Sequence, residues 1–173
     1  EGELRVGSVL IRQAQIVTMN ESEEVFIGDV FVENNKITKI GTHLDDIADR
    51  EIDARGKTLL PGFIQTHIHL CQTIFRGRAD DMELMDWLRK RIWPLEAAHD
   101  EESIYYSALL GIGELISSGT TTICDMETVH HTDSAFQAMA QSGLRVISGK
   151  VMMDHGDDVP EPLQEKTEES LQK

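Results

Sequence analysis

The sequence predicts an α/β protein in two parts: a small antiparallel β-domain over residues 1–60, then parallel α/β units over 61–173. Three observations carry this. Val- and Ile-rich runs separated by turn residues fill the first part, and Pro61-Gly62 marks a change of pattern. Beyond it, strand and helix periodicities alternate, the rhythm of a parallel sheet covered by helices.

Ser8 to Met19 and Val25 to Val32 read as the first two strands. Asn34-Asn35 sits between Val30-Phe31-Val32 and Ile37-Thr38-Lys39-Ile40, and because Asn tolerates positive φ the pair signals a hairpin turn. Glu51 to Ala54 and Lys57 to Leu60 add short strands. Gly62 to His69, an apolar run with polar ends, starts the second part. Asp81 is placed to cap a helix over Glu83 to Ile92, with Leu84, Leu88 and Ile92 on one face and Pro94 as its end. Asp100 caps the next helix, where Ile104, Ala108, Leu109, Ile112, Leu115 and Ile116 recur at helical spacing before Gly119. Thr120 to Met126 returns to β-branched residues. Thr132 opens a helix through Ala135, Phe136, Met139 and Ala140 that Gly143 closes, and Arg145 to Met153 is again a strand. Parallel strands of this kind are expected to be buried on both faces. Three of them make less than half of a (β/α)8 barrel, which takes about 250 residues.

With 173 residues, 40% apolar and 27% charged, the composition is that of a globular protein with a core. The formal net charge of -15 argues against nucleic acid, whose phosphates need clustered Lys and Arg, and suits a small neutral or cationic substrate. Asp154 to Glu169 reads as a solvated acidic surface. No run approaches the roughly 18 apolar residues of a membrane span, and Glu1-Gly2-Glu3-Leu4 is no leader, so the expected address is cytoplasmic. Cys71 and Cys124 fit neither a disulfide framework nor a paired-thiolate metal motif, and read as reduced, half-buried thiols. The start without Met and the end inside helix-like Glu168 to Lys173 both read as cut.

The strongest local signal is Pro61-Gly62-Phe63-Ile64-Gln65-Thr66-His67-Ile68-His69. Residues two apart on a strand point the same way, so His67 and His69 present two imidazoles side by side at its carboxyl end, where barrel enzymes build their sites. Two neutral imidazoles converging on one point suit Zn2+ or Fe2+. A satisfied histidine pair on a β-edge is the plainer explanation. Cys71 continues the same parity and stands as a remote third ligand. His43, His99 and His155 give no chemical signal.

That segment resembles the first-strand metal motif of the amidohydrolase superfamily. Many members carry an acidic residue or Asn where this chain has Gln65, a departure that points to the deaminase and chlorohydrolase branch. Gln72-Thr73-Ile74-Phe75-Arg76-Gly77, Asp80-Asp81, Trp87-Leu88 and Trp93-Pro94-Leu95-Glu96 are similar to the methylthioadenosine/S-adenosylhomocysteine deaminase group, including its 5′-deoxyadenosine-deaminating relatives. Ser118-Gly119-Thr120-Thr121-Thr122 with Asp125-Met126 resembles that group's second barrel strand.

The resemblance implies a (β/α)8 TIM-type barrel preceded by a small antiparallel β-sandwich, and hydrolytic deamination at adenine C6 by a metal-activated water. It puts the metal, Zn or alternatively Fe, on His67 and His69. Glu96 matches the family residue that binds the ribose hydroxyls, although an exposed helix end accounts for a Pro-x-Glu step as well. Trp87 resembles an aromatic pocket wall, with helix packing as the competing role. Lys150 falls where the family has a substrate-contacting Arg; Lys keeps the charge but loses the planar fork. His130 and His131 follow the second strand, at the site mouth or at a helix start, and Asp125 reads as a structural acid at a strand end. The family's His-x-x-Glu segment, a later His and a final Asp have no counterpart here. The catalytic acid/base and further ligands are therefore expected beyond residue 173, and the chain alone is expected to lack activity. A guanine or pterin deaminase, a triazine chlorohydrolase and a non-catalytic scaffold are the competing functions. The expected partner is a small nucleoside, with no nucleic acid and no membrane; homo-oligomer formation stays open.

Overall fold

The computed structural model describes residues 7–156 and 158–172; Glu1 to Leu4 at the start, Asp157 of the acidic stretch and Lys173 lie outside the described residues. The chain divides into two compact units, Glu1–Pro61 and Gly62–Lys173.

The first unit is one five-stranded sheet of β1 (Val9–Val17), β2 (Val25–Glu33), β3 (Lys36–Gly41), β4 (Arg50–Asp53) and β5 (Thr58–Leu59). β2 runs antiparallel to both β1 and β3. The β2–β3 hairpin turns on Asn34 and Asn35, whose φ values of 50° and 62° are the positive ones this tight turn demands. The expected antiparallel sandwich needs correction. β4 and β5 lie parallel to β1, one after the other along its second edge, so the described residues form a single mixed sheet. β3 already runs in the direction of β1, and the 42–49 link carries the chain across to β1's free edge without reversing it. Between β4 and β5 the edge is interrupted by a bulge at Gln13 (φ 55°). Ala14, Ile16, Val30 and Ala54 form the core, with Ile11, Phe26, Val32 and Leu59 against it.

The second unit is a parallel sheet of β6 (Phe63–Ile68), β7 (Thr120–Met126) and β8 (Arg145–Gly149), in that order, so this is a mixed α/β fold. Its helices are α1 (Leu84–Trp87), α2 (Trp93–Ala97), α3 (Glu101–Ser117), α4 (Thr132–Ser142) and α5 (Thr167–Ser170). The Asp100 carboxylate accepts from Ser103 N–H and the Ser103 hydroxyl answers Asp100 N–H, a reciprocal box that starts α3. Gly119 and Gly143, at φ 88° and 77°, let the chain leave α3 and α4. Leu70, Ile104, Ala108, Ile112, Ile123, Ala135, Ala138 and Met139 make the core beneath these helices. Gly62 fixes the start of β6 against β7: a Cβ there would stand 2.2 Å from Thr121 Cγ2.

Four expectations change. The strands are not buried on both faces: Phe63 and Ile147 are 55% and 71% exposed, because α3 and α4 cover the other side of the sheet. The helix expected over 83–92 is interrupted. Asp81 sits at φ 57° and caps nothing; α1 gives way to a wider turn over Leu88–Ile92, and Pro94 opens α2 instead of closing a helix. The first turn of a helix needs no intrahelical N–H, so Pro is tolerated there. β8 stops at Gly149, after which Val151 N–H reaches Thr128 O. The acidic stretch is more than a solvated face, since Val159 and Leu163 pack with Val129 into a satellite core. Among the described residues, no helix is long and apolar enough to cross a membrane.

Candidate functional site

The three parallel strands end on the same side, so the residues that follow them meet there. His67 lies near the end of β6 and His69 just past it. Their Nε2 atoms stand 3.2 Å apart, with the rings edge to face. His69 Nδ1 is 2.8 Å from the carbonyl of Met126 at the end of β7. That contact requires the proton on Nδ1, which leaves the Nε2 lone pair free. Two nitrogens on one tetrahedral ion, at bonds of about 2.05 Å, stand about 3.3 Å apart. The pair therefore fits a zinc-like cation. Among the described residues no set of three or more His, Cys, Asp or Glu gathers in cation-holding geometry. Cys71 does not join: it is fully buried and faces Glu96 at 3.9 Å, and burial drives its thiol pKa up, against metal binding.

Behind the histidines, the turn over Leu70–Phe75 is held from three directions. Asp125 accepts Leu70 N–H at 2.9 Å, the Ser107 hydroxyl lies 2.7 Å from Leu70 O, and the ring of buried His99 bridges Cys71 O and Ser103 Oγ, both at 2.9 Å. This turn carries Gln72 to Glu96. Gln72 Nε2 donates to Glu96 Oε1 and Thr128 Oγ1 to Glu96 Oε2, each at 2.8 Å. Trp87 is half-buried at the end of α1 and is not among these partners.

Lys150 has different company from the one the resemblance implies. Its ammonium donates to Glu165 Oε2 at 2.6 Å, Val151 O at 3.2 Å and Ser170 Oγ at 3.3 Å. An ammonium has three protons. All are used inside the chain, tying β8 to the acidic segment, and none is left for a substrate.

Two acids stand between the strand ends. Asp125 accepts from Leu70 N–H and from the Ser148 hydroxyl at 2.7 Å, a structural role; burial still raises its pKa. Glu127 is 1% exposed, and neither carboxyl oxygen has a partner among the described residues. Burial and the neighbouring Asp125 push it up to about 8, so it is mostly protonated at neutral pH. His131 occupies the N-cap position of α4 at φ 58° without a side-chain capping bond, with His130 beside it.

Sequence reading missed Gln72, His99, Thr128 and Glu127. Gln72 had a signal, three residues past His69 on a turn. Glu127 had one too, two residues past Asp125 on the same strand parity. His99 and Thr128 are defined by residues remote in sequence and had none.

Comparison with known proteins assigns the chain to a family. The amidohydrolase family model matches residues 58–173, and the chain belongs to that family. It is 45% identical over 152 residues to the 5′-deoxyadenosine deaminase of Methanobrevibacter smithii, covering 87% of this chain and 34% of that protein. It is 40% identical over 151 residues to the 5-methylthioadenosine/S-adenosylhomocysteine deaminase of Thermococcus sibiricus, covering 87% and 35%. It thus spans about a third of the length of these relatives. Among solved structures, atrazine chlorohydrolase TrzN from Arthrobacter aurescens TC1, complexed with zinc, superposes with a TM-score of 0.84 at 23% identity, over 95% of this chain and 41% of that one, a likeness of fold.

Proposed function

We propose that the chain supplies the first metal ligands and the ribose-binding residue of a metal-dependent amidohydrolase that hydrolytically deaminates an adenine nucleoside. The substrate type is 5′-methylthioadenosine, S-adenosylhomocysteine or 5′-deoxyadenosine. One observation carries the reading: the 3.2 Å approach of the two Nε2 atoms, with the His69 tautomer set by Met126 O. His67 and His69 would hold zinc, and iron suits the same donors. When bound, such an ion supplies Lewis acidity and activates water near neutral pH.

Glu96 does the recognition. A carboxylate accepts about four hydrogen bonds, and two well-formed ones come from within the chain, which leaves capacity for a vicinal diol. Identities of 45% and 40% to deaminases of this substrate class support the reading. Two imidazoles fall short of the three protein ligands of a typical catalytic zinc site. In this reading the remaining ligands, the proton-shuttling carboxylate and the rest of a (β/α)8 barrel come from polypeptide outside these 173 residues. The enzyme works in the cytoplasm on a small neutral nucleoside, without nucleic acid or membrane as partner.

The test is turnover and metal content of the full-length polypeptide. Ammonia release from 5′-methylthioadenosine or 5′-deoxyadenosine, with metal lost in His67→Ala and His69→Ala, is the expected result. The 173-residue chain alone should give no turnover. Turnover of guanine, a pterin or a chlorotriazine in place of adenine nucleosides would overturn the substrate assignment.

A further inference from the structure

We infer that Gln72 and Thr128 are positioning residues that aim the Glu96 carboxylate at the ribose diol, an inference that rests on the ribose reading of Glu96.

The geometry is symmetric. Each Glu96 oxygen accepts one short hydrogen bond of 2.8 Å, Oε1 from the Gln72 amide and Oε2 from the Thr128 hydroxyl, with the Cys71 thiol a long 3.9 Å from Oε1. Held at both oxygens by donors from two other segments, the carboxyl plane cannot rotate about its last bond. Beyond the two short bonds each oxygen keeps accepting capacity, and two adjacent hydroxyl donors need that spacing. A free glutamate would have to lose its rotamer freedom on binding; here that ordering is already done in folding.

Both donors are themselves fixed. Thr128 is 1% exposed, and its carbonyl accepts Val151 N–H at 3.1 Å, just past the end of β8. Gln72 N–H donates to His69 O at 3.0 Å, so the residue that orients Glu96 sits in the same turn as a histidine of the metal pair. Through Gln72 the ribose-binding group is registered to His69 by two consecutive hydrogen bonds. A nucleoside held by its diol therefore presents its base at a set distance from the histidines. Movement of either donor would loosen the ribose grip while leaving the histidine pair in place.

The experiment is steady-state kinetics of the full-length enzyme on 5′-deoxyadenosine and on its 2′,3′-dideoxy counterpart, for the unmodified protein, Gln72→Met, Thr128→Val, Thr128→Ser and Glu96→Gln. Gln72→Met and Thr128→Val keep shape and remove the donor. Each is expected to raise KM for 5′-deoxyadenosine about tenfold, the scale of one hydrogen bond to a charged group, with kcat changed much less. KM for the dideoxy compound should stay as it was, and Thr128→Ser, which keeps the hydroxyl, should restore diol preference. Equal losses on both substrates, no loss on either, or no rescue by Thr128→Ser would overturn the inference. Gln72→Met, on a half-buried side chain, decides the matter alone if Thr128→Val folds poorly. The underlying reading fails separately: if Glu96→Gln leaves diol preference intact, Glu96 does not hold the ribose. If Glu96→Gln abolishes that preference while the Gln72 and Thr128 variants retain it, only the positioning role is lost.

Discussion

Asp29 in the first unit and Glu127 in the second are each 1% exposed, yet their surroundings drive them to opposite charge states. Burial raises the pKa of Asp29, but Gln13 N–H at 2.9 Å, Leu44 N–H at 3.0 Å and the Arg12 guanidinium at 3.3 Å outweigh it. Asp29 stays ionised and pins the Gln13 bulge and the 42–49 link to β2. Glu127 is reached only by poorly formed contacts from Thr128 N–H and the Cys71 thiol, and burial together with Asp125 lifts it to about 8. Equal burial fixes nothing by itself. The number of donors that reach a carboxylate decides whether it is a rivet or a proton store.

The largest test of this contrast is Asp29→Asn. An amide turned toward two backbone N–H groups must leave donors unpaired, and the loss should be about 3 kcal/mol at neutral pH, read as a lowered urea midpoint. A loss under about 1 kcal/mol would mean that water satisfies the bulge equally well.

A smaller effect separates the two acids by pH. Glu127 has a folded value near 8 against an ordinary 4.5, so the folded state holds a proton that the unfolded state has released. Its contribution to stability is complete below pH 4.5 and is lost as pH rises through about 8. Asp29, displaced below its ordinary 3.8, contributes above that value and fails only in acid. The melting temperature should therefore fall between pH 5 and 9, on the order of 5 °C. Glu127→Gln should flatten that slope without abolishing it, since buried Asp125 titrates in the same sense. An unchanged slope would show Glu127 already ionised at pH 5.

Arg12→Met should matter least. It removes one of the three donors to Asp29 on a side chain that is 29% exposed, and should lower the urea midpoint by less than Asp29→Asn does. A cost equal to that of Asp29→Asn would make the ion pair, not the backbone N–H groups, the source of Asp29's stability.

The same contrast explains what could be read without coordinates. The Asn34-Asn35 turn, the Asp100 box and the glycine stops of α3 and α4 were legible because each depends on the φ range or reach of a few neighbouring residues. So was the side-by-side placement of His67 and His69, which follows from the two-residue period of a strand. Nothing local distinguishes Asp29 from Glu127, or foretells that Lys150 would spend its protons on Glu165 and Ser170.

Local chemistry along the chain thus determined the α/β alternation, the ends of α3 and α4 and the paired histidines, because their ranges span a few residues. Tertiary structure alone decided that β4 and β5 run parallel to β1, that Gln72 and Thr128 share Glu96, and that one buried acid is charged while the other keeps its proton. The last two outcomes depend on donors brought from 15 to 32 positions away. Only the folded path determines which polar atoms meet and how much water is left between them.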